Sequence, residues 1–317
     1  MRVGTGPATL APMRGLLPIL LALVCMSCQD TPDPRAEPPS AASMRRARQA
    51  LFDSGVYREQ GWTRLGDPRP GEWLDSFPEP GQTFEEYAAA GWPPCAAGQR
   101  LALLPLEPLG PAARAALEPV RAHCARFFGV EVALLEPAPL PRHTFSAARR
   151  QHDAGALLDW LAPRRPADAR AFAGVCDQDM WAHDLNYVFG LGRAGDGIGV
   201  HSLVRYQGPD VPQPLFLARC MKLMTHELGH TLGLRHCIWF RCVMNGSNSL
   251  SEEDATPLEP CPVCLRKLHK ACGFDVVERW RALAAGLTET GQDEQAAWVR
   301  ARLEDLAREG GRVPWRE

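Results

Sequence analysis

Lysine is almost missing from this chain: Lys222, Lys267 and Lys270 are the only ones among 35 basic residues, and arginine supplies the rest. With alanine and proline abundant, that imbalance reads as mutational bias more than as a binding signature. Neither sign of charge is in excess. A formal net charge of −2 argues against nucleic acid or an acidic membrane surface as the main partner. No apolar run is long enough to span a bilayer, since the best of them, Leu16–Val24, is less than half of what a spanning helix needs. No internal repeat is visible. What is there is a 317-residue chain, 45% hydrophobic and 23% charged, enough for one large or two modest globular domains.

Against that plain background residues 226–236 stand out, because they read HExxHxxGxxH. On a helix His226 and His230 are i and i+4, so their imidazoles leave one face a turn apart. Gly233 lets the helix stop in a left-handed turn, and the chain can then swing His236 back as a third nitrogen ligand. Three histidines with an open fourth position are the donor set of a catalytic zinc. Glu227 follows the first ligand and can reach an activated water as general base without itself binding metal. The five-residue HExxH alone matches many unrelated amphipathic helices; Gly233 and His236 at the required offsets make the longer pattern specific.

Cys237 follows the third histidine directly and opens Cys237-x4-Cys242-x18-Cys261-x2-Cys264. Four thiolates ending in CxxC suit a closed, tetrahedral structural zinc, which would also pin His236 beside it. The other reading is one or two disulfides, or buried free thiols. Cys95, Cys124, Cys176, Cys220 and Cys272 have no metal spacing and read as buried thiols.

The stretch HELGHTLGLRHC at 226–237, then Trp239, Cys242-Val243-Met244-Asn245-Gly246-Ser247-Asn248-Ser249-Leu250 and Pro257 to Leu268, resembles an archaemetzincin, a branch of the metzincin metallopeptidases. Gly273-Phe274 and Glu278-Arg279 continue the match. Asn186–Gly190 and Gly197–Tyr206 are similar to the family's strand pair before the active-site helix, and Trp73-Leu74 through Phe84 with Leu101–Leu106 resembles the amino-terminal part of its animal-type members. The resemblance implies an α/β fold: a metzincin-like catalytic domain with a twisted mixed sheet, an active-site helix and a C-terminal helical part stapled by zinc. It implies two zinc ions per chain, one on His226, His230 and His236, the other on Cys237, Cys242, Cys261 and Cys264. It makes Glu227 the general base, gives Met244 a structural place beneath the metal, and implies a metallopeptidase of peptides or proteins, with short peptides or amino-terminal residues as one option. Two alternatives stay open: a zinc hydrolase of another amide or ester, and a non-catalytic zinc-stabilised binding protein.

At the amino terminus Arg2 and Arg14 precede the apolar run, and Cys25-Met26-Ser27-Cys28 closes it, as in a secretion signal with a lipoprotein-like processing site at Cys28. Residues 1–28 are therefore expected to direct export, with a lipidated Cys28 as membrane tether, 29–50 to be a disordered linker, and 51–317 to form the peptidase domain, divided near 236/237. A start at Met44, leaving a cytoplasmic protein, is the alternative. An oxidising compartment would favour disulfides over thiolates, so oxidised Cys261 and Cys264 in the mature chain would defeat the structural-zinc reading. Hydrophobic spacing predicts helices near 84–90, 111–128, 154–161, 215–233, 274–285 and 294–309, with strands at 101–106, 130–135 and 172–176. One or two antiparallel strands follow between 186 and 206, with the strand near 197–204 offered as a partner for an extended substrate. Tyr187, Asp184 and His201 are polar candidates near that strand pair.

Overall fold

The computed structural model describes residues 38–183 and 185–316. Its central sheet begins with β1 (Arg100–Glu107), whose interior is buried on both faces, as expected of a strand covered on each side. Leu101 and Leu103 join one apolar cluster, while Ala102, Leu104 and Leu106 join another on the opposite face. β2 (Val132–Leu134) and β3 (Ala138–Pro139) run parallel to β1 on one side. Two short strands, β4 (Phe145–Ser146) and β5 (Gln151–Asp153), form a small separate sheet with a third, β7 (Met180–Trp181). β6 (Ala169–Cys176) lies parallel to β1 on its other side. Beyond it come β9 (Ile198–Ser202), parallel to β6, and β8 (Gly190–Arg193), antiparallel to β9, so the path is β2-β1-β6-β9-β8.

That order corrects one expectation. β9 is hydrogen-bonded on both sides, so the strand near 197–204 has no free edge for a substrate; the sheet ends at β8.

Helices cover both faces. α1 (Ala41–Asp53), α2 (Trp73–Ser76) and α3 (Phe84–Ala89) precede the sheet, the last opened by a reciprocal cap between Thr83 and Glu86. α4 (Pro111–Phe128) starts on a proline and ends at Gly129, whose φ of 64° is the left-handed stop a glycine makes cheaply. α5 (Ala154–Leu161) covers the opposite face. α6 (Gln213–Thr231) is buried from Phe216 onward and carries the HExxH histidines. α7 (Leu250–Asp254), α8 (Pro262–Cys272), α9 (Val276–Glu289) and α10 (Asp293–Arg308) complete the chain.

Two boundaries differ from those expected. The linker assigned to 29–50 ends earlier, because α1 starts at Ala41 behind a Ser40 cap. Met44 is 1% exposed and Arg48 5%, the latter bonded to the carbonyls of Leu65 and Gly66. Proline and alanine dominate the composition there, yet Met44, Ala47, Leu51 and Phe52 form a helical stripe on the core. After the third histidine, Cys264 sits in the first turn of α8, with Cys261 at its N-cap. The part after 237 is not walled off from the rest, since one apolar cluster runs from Met44 to Trp315. Cys28 and the proposed export signal lie outside the described residues.

Candidate active site

The last turn of α6 and the loop after it bring three imidazoles together. His226 and His230 leave the helix one turn apart, and their Nε2 atoms are 2.8 Å from each other. Two nitrogens sharing a zinc at 2.0–2.1 Å in tetrahedral geometry would be about 3.3 Å apart, so the pair is within a few tenths of an ångström of a ligating arrangement. The ligand atoms of His226, His230 and His236 all lie within 4.8 Å of one another.

Gly233 makes the return possible for two reasons. Its φ is 91°, and a Cβ there would come within 2.5 Å of the Trp92 indole. His236 then reaches the pair from the loop.

Each imidazole is oriented from behind. Nδ1 of His226 donates to the carbonyl of Val243 at 2.8 Å, and Nδ1 of His230 to that of Leu234 at 2.7 Å. A carbonyl only accepts, so Nδ1 carries the proton in both rings and Nε2 is left as a lone-pair donor facing its neighbours. Nδ1 of His236 donates instead to a carboxylate oxygen, Glu79 Oε1, at 2.7 Å. The buried Nε2 of His236 has no hydrogen-bond partner among the described residues. That orphaned nitrogen, aimed at two others, fits a metal ion and fits little else.

Burial pushes His226 down to about 4 and His230 well below its ordinary value, so both rings are neutral at pH 7. Burial pulls His236 down too, but the charge and hydrogen bond of Glu79, with Glu227 and Cys237 beyond, move it upward overall.

Glu227 is 1% exposed and shares the wall of a pocket with His226. Phe189, Tyr206, Leu223, Val243 and Thr256 give this pocket a largely apolar lining, and Glu253 enters it as well. Tyr206 donates to Glu253 at 2.8 Å, and burial raises that carboxyl to about 7. Met244 is fully buried under α6; a Cβ on Gly229 would come within 2.8 Å of its sulfur.

On the other side of the His236–Cys237 peptide the four thiols converge. Cys237, Cys242, Cys261 and Cys264 are all buried, with their sulfurs within 4.8 Å of one another. Cys237 and Cys261 have Sγ atoms 3.5 Å apart, near the roughly 3.8 Å expected for two thiolates on one zinc with Zn–S of 2.3 Å. The sulfur of Cys242 accepts backbone N–H groups from Cys261 and Met244. Burial disfavours ionisation throughout, yet hydrogen bonds from its three neighbours draw Cys237 well below an ordinary thiol, while Cys242 and Cys261 move up. Asn245 ties the loop by donating to the carbonyls of Cys237 and Phe240 and accepting from the N–H of Cys242.

The known proteins that this chain resembles agree with the site. The sequence model of Peptidase family M54 matches residues 141–270. Archaemetzincin-2 of Pongo abelii is 33% identical over 279 residues, an alignment covering 74% of this chain and 77% of the relative. The chain belongs to the archaemetzincin family. Archaemetzincin-2 of Homo sapiens aligns at 32% identity over the same shares of the two chains. The crystal structure of archaemetzincin from Methanopyrus kandleri superposes with a TM-score of 0.50 at 34% identity, covering 57% of this chain and 99% of that one. The expectation of a zinc metallopeptidase with an archaemetzincin α/β fold is therefore borne out.

Within this archaemetzincin some expected residues turn out to do other things. Tyr187 packs, with the Arg205 guanidinium 3.5 Å above its ring and Phe189 at its edge. His201 is buried on β9, its ring lying over Gly190 and Gly199, where any Cβ would meet it at 2.5–2.7 Å; burial lowers it to about 3. Asp184 lies outside the described residues. Cys124, Cys176 and Cys220 are buried thiols as expected, but Cys95 is half-buried against Cys272, which draws it down to about 7. Glu79 and Trp73, which reach the third histidine, fall in the stretch from Trp73 to Phe84 that resembles the amino-terminal part of animal-type archaemetzincins, but no motif marks either side chain: they lie over 150 residues upstream and ahead of the segment that the family model matches.

Proposed function

We propose that this archaemetzincin hydrolyses peptide bonds at the three-histidine cluster, with Glu227 as general base and two zinc ions per chain. The observation that carries the proposal is the convergence of three buried imidazoles, with His226 and Glu227 at the wall of an apolar pocket. His226, His230 and His236 hold the catalytic zinc, and the four cysteines hold the structural one. When bound, the catalytic zinc supplies a Lewis acid that lowers the pKa of water in the open position and offsets negative charge on the substrate carbonyl.

The chain's own residues do the rest. Glu227 takes the proton from the attacking water and returns it to the departing amine, so the reaction closes with the carboxylate regenerated. The carbonyls of Val243 and Leu234 and the carboxylate of Glu79 keep the imidazole lone pairs inward throughout. Phe189, directly before the edge strand β8, lines the pocket together with Glu227. An extended peptide pairing along that edge would present a side chain to the apolar pocket. Substrates are therefore peptides or proteins with an apolar residue beside the scissile bond.

A peptide-library digest with the parent and with Glu227→Ala tests this. Cleavage abolished in a variant that keeps its zinc supports the reading; undiminished cleavage by Glu227→Ala refutes it. For residues 1–28 the proposal is export with lipid at Cys28. Its test is the mass of the mature chain from cells: an intact Met1, or a start at Met44, refutes it.

A further inference from the structure

The third ligand differs from the first two in what holds it. His226 and His230 sit on a helix and donate to carbonyls of the segment that directly follows it. His236 lies in a loop with no regular structure of its own, and its orientation comes from a segment more than 150 residues upstream. Residues 73–87 grip the turn at successive points. The Tyr87 hydroxyl donates to the carbonyl of Leu232 at 3.0 Å, and the Gln82 side-chain amide donates to that of Gly233 at 3.2 Å. Gln82 also accepts from the N–H of Arg235 at 3.2 Å and from buried Lys267. Glu79 completes the set by accepting from His236 Nδ1.

Glu79 is itself locked. The same Oε1 accepts from the Trp73 indole N–H at 2.6 Å, and the Trp73 ring stands edge-on to His236 with centroids 5.1 Å apart. Trp73 is 5% exposed, its backbone N–H is taken by Glu252, and Gly246 leaves it room, since a Cβ there would come within 2.5 Å of the indole.

We propose that Glu79, held by Trp73, is a positioning residue for the third metal ligand. The amino-terminal segment thereby completes a zinc site whose motif lies elsewhere. An anionic acceptor on Nδ1 fixes the tautomer, turns the Nε2 lone pair toward His226 and His230, and makes the ring a stronger donor. The inference rests on the three-histidine zinc reading above.

The test measures zinc affinity at the histidines by competition with a chromophoric chelator in the full chain. Cobalt substitution reads the coordination geometry, and thiolate charge-transfer bands report the cysteine site separately. Loss of an outer-shell partner of this kind weakens metal binding about 10–100-fold. Glu79→Ala is expected in that range. Glu79→Gln, which keeps an acceptor oxygen but not the charge, should fall between it and the parent, and Trp73→Phe should show a smaller loss. A merely structural role would lower the melting temperature and leave the zinc affinity and the cobalt spectrum of the folded protein unchanged; that result in Glu79→Ala, or in Glu79→Gln should the alanine variant not fold, overturns the proposal. A parent chain that binds no metal at the histidines would overturn the zinc reading together with this one, and is thereby distinguishable.

Discussion

The histidine cluster and the cysteine cluster meet at a single peptide bond, between residues 236 and 237, and they are built in opposite ways. The cysteines are enclosed, at most 2% exposed, and two of them come from the start of one helix. The histidines are buried too, but the first of them adjoins a pocket, with Glu227 next to it. Each cluster has a buried carboxylate nearby, and these differ as well. Glu259, next but one before Cys261, is paired with Arg279 at 2.8 Å. Glu253, on the pocket side, has Tyr206 as its hydrogen-bond donor, while Lys222 turns its ammonium to the backbone carbonyls of Glu253 and Asp254. Burial raises both carboxyls, but Glu259 faces a guanidinium whereas Glu253 is hydrogen-bonded to a hydroxyl.

The hardest break is Cys261→Ser/Cys264→Ser. Structural zinc contributes on the order of 10 kcal/mol in small zinc domains, so this variant should lose one zinc per chain and its cooperative thermal unfolding. Metal analysis and a melt check it; an unchanged melt would mean that the cysteines are not a metal staple. Next comes Glu227→Ala, expected to cost about 10²–10⁴-fold in kcat/KM with both metals retained, which separates chemistry from architecture. Arg279→Met follows. It strands Glu259 as an unpaired buried carboxylate, at a cost of about 3–5 kcal/mol in denaturant unfolding, and Glu259→Gln added to it should recover part of the loss.

The smallest effect distinguishes the two carboxylates by pH. Glu253 is raised to about 7 from 4.5, so the folded state prefers it protonated. Its contribution to stability is complete below pH 4.5 and is lost as pH rises to about 7. Glu253→Gln removes that loss. The variant should be more stable than the parent by about 2 kcal/mol at pH 8, and the gap should shrink toward pH 5. Urea unfolding of the metal-loaded protein across that range measures it, and a gap that does not change with pH would rule out the neutral carboxyl.

What was legible in the sequence follows from distance along the chain. The histidines span 11 residues and the cysteines 28, so regular spacing displays both. α4 and α5 were legible to the residue because proline, glycine and aspartate mark their ends. α1 was not, because composition masked a four-residue stripe, and α8 was not, because its first turn reads as metal spacing. The free edge at β8 depends on strand order, which periodicity does not contain. Glu79 reaches His236 only through the folded chain, and no local pattern marks it.

The shared peptide bond between His236 and Cys237 has a thermodynamic consequence. Two sites joined through one rigid link cannot influence each other in one direction only. Whatever factor metal at the cysteines adds to affinity at the histidines, metal at the histidines must add to affinity at the cysteines. With metal at both clusters, a chelator that strips the histidines would weaken the cysteine site by that same factor.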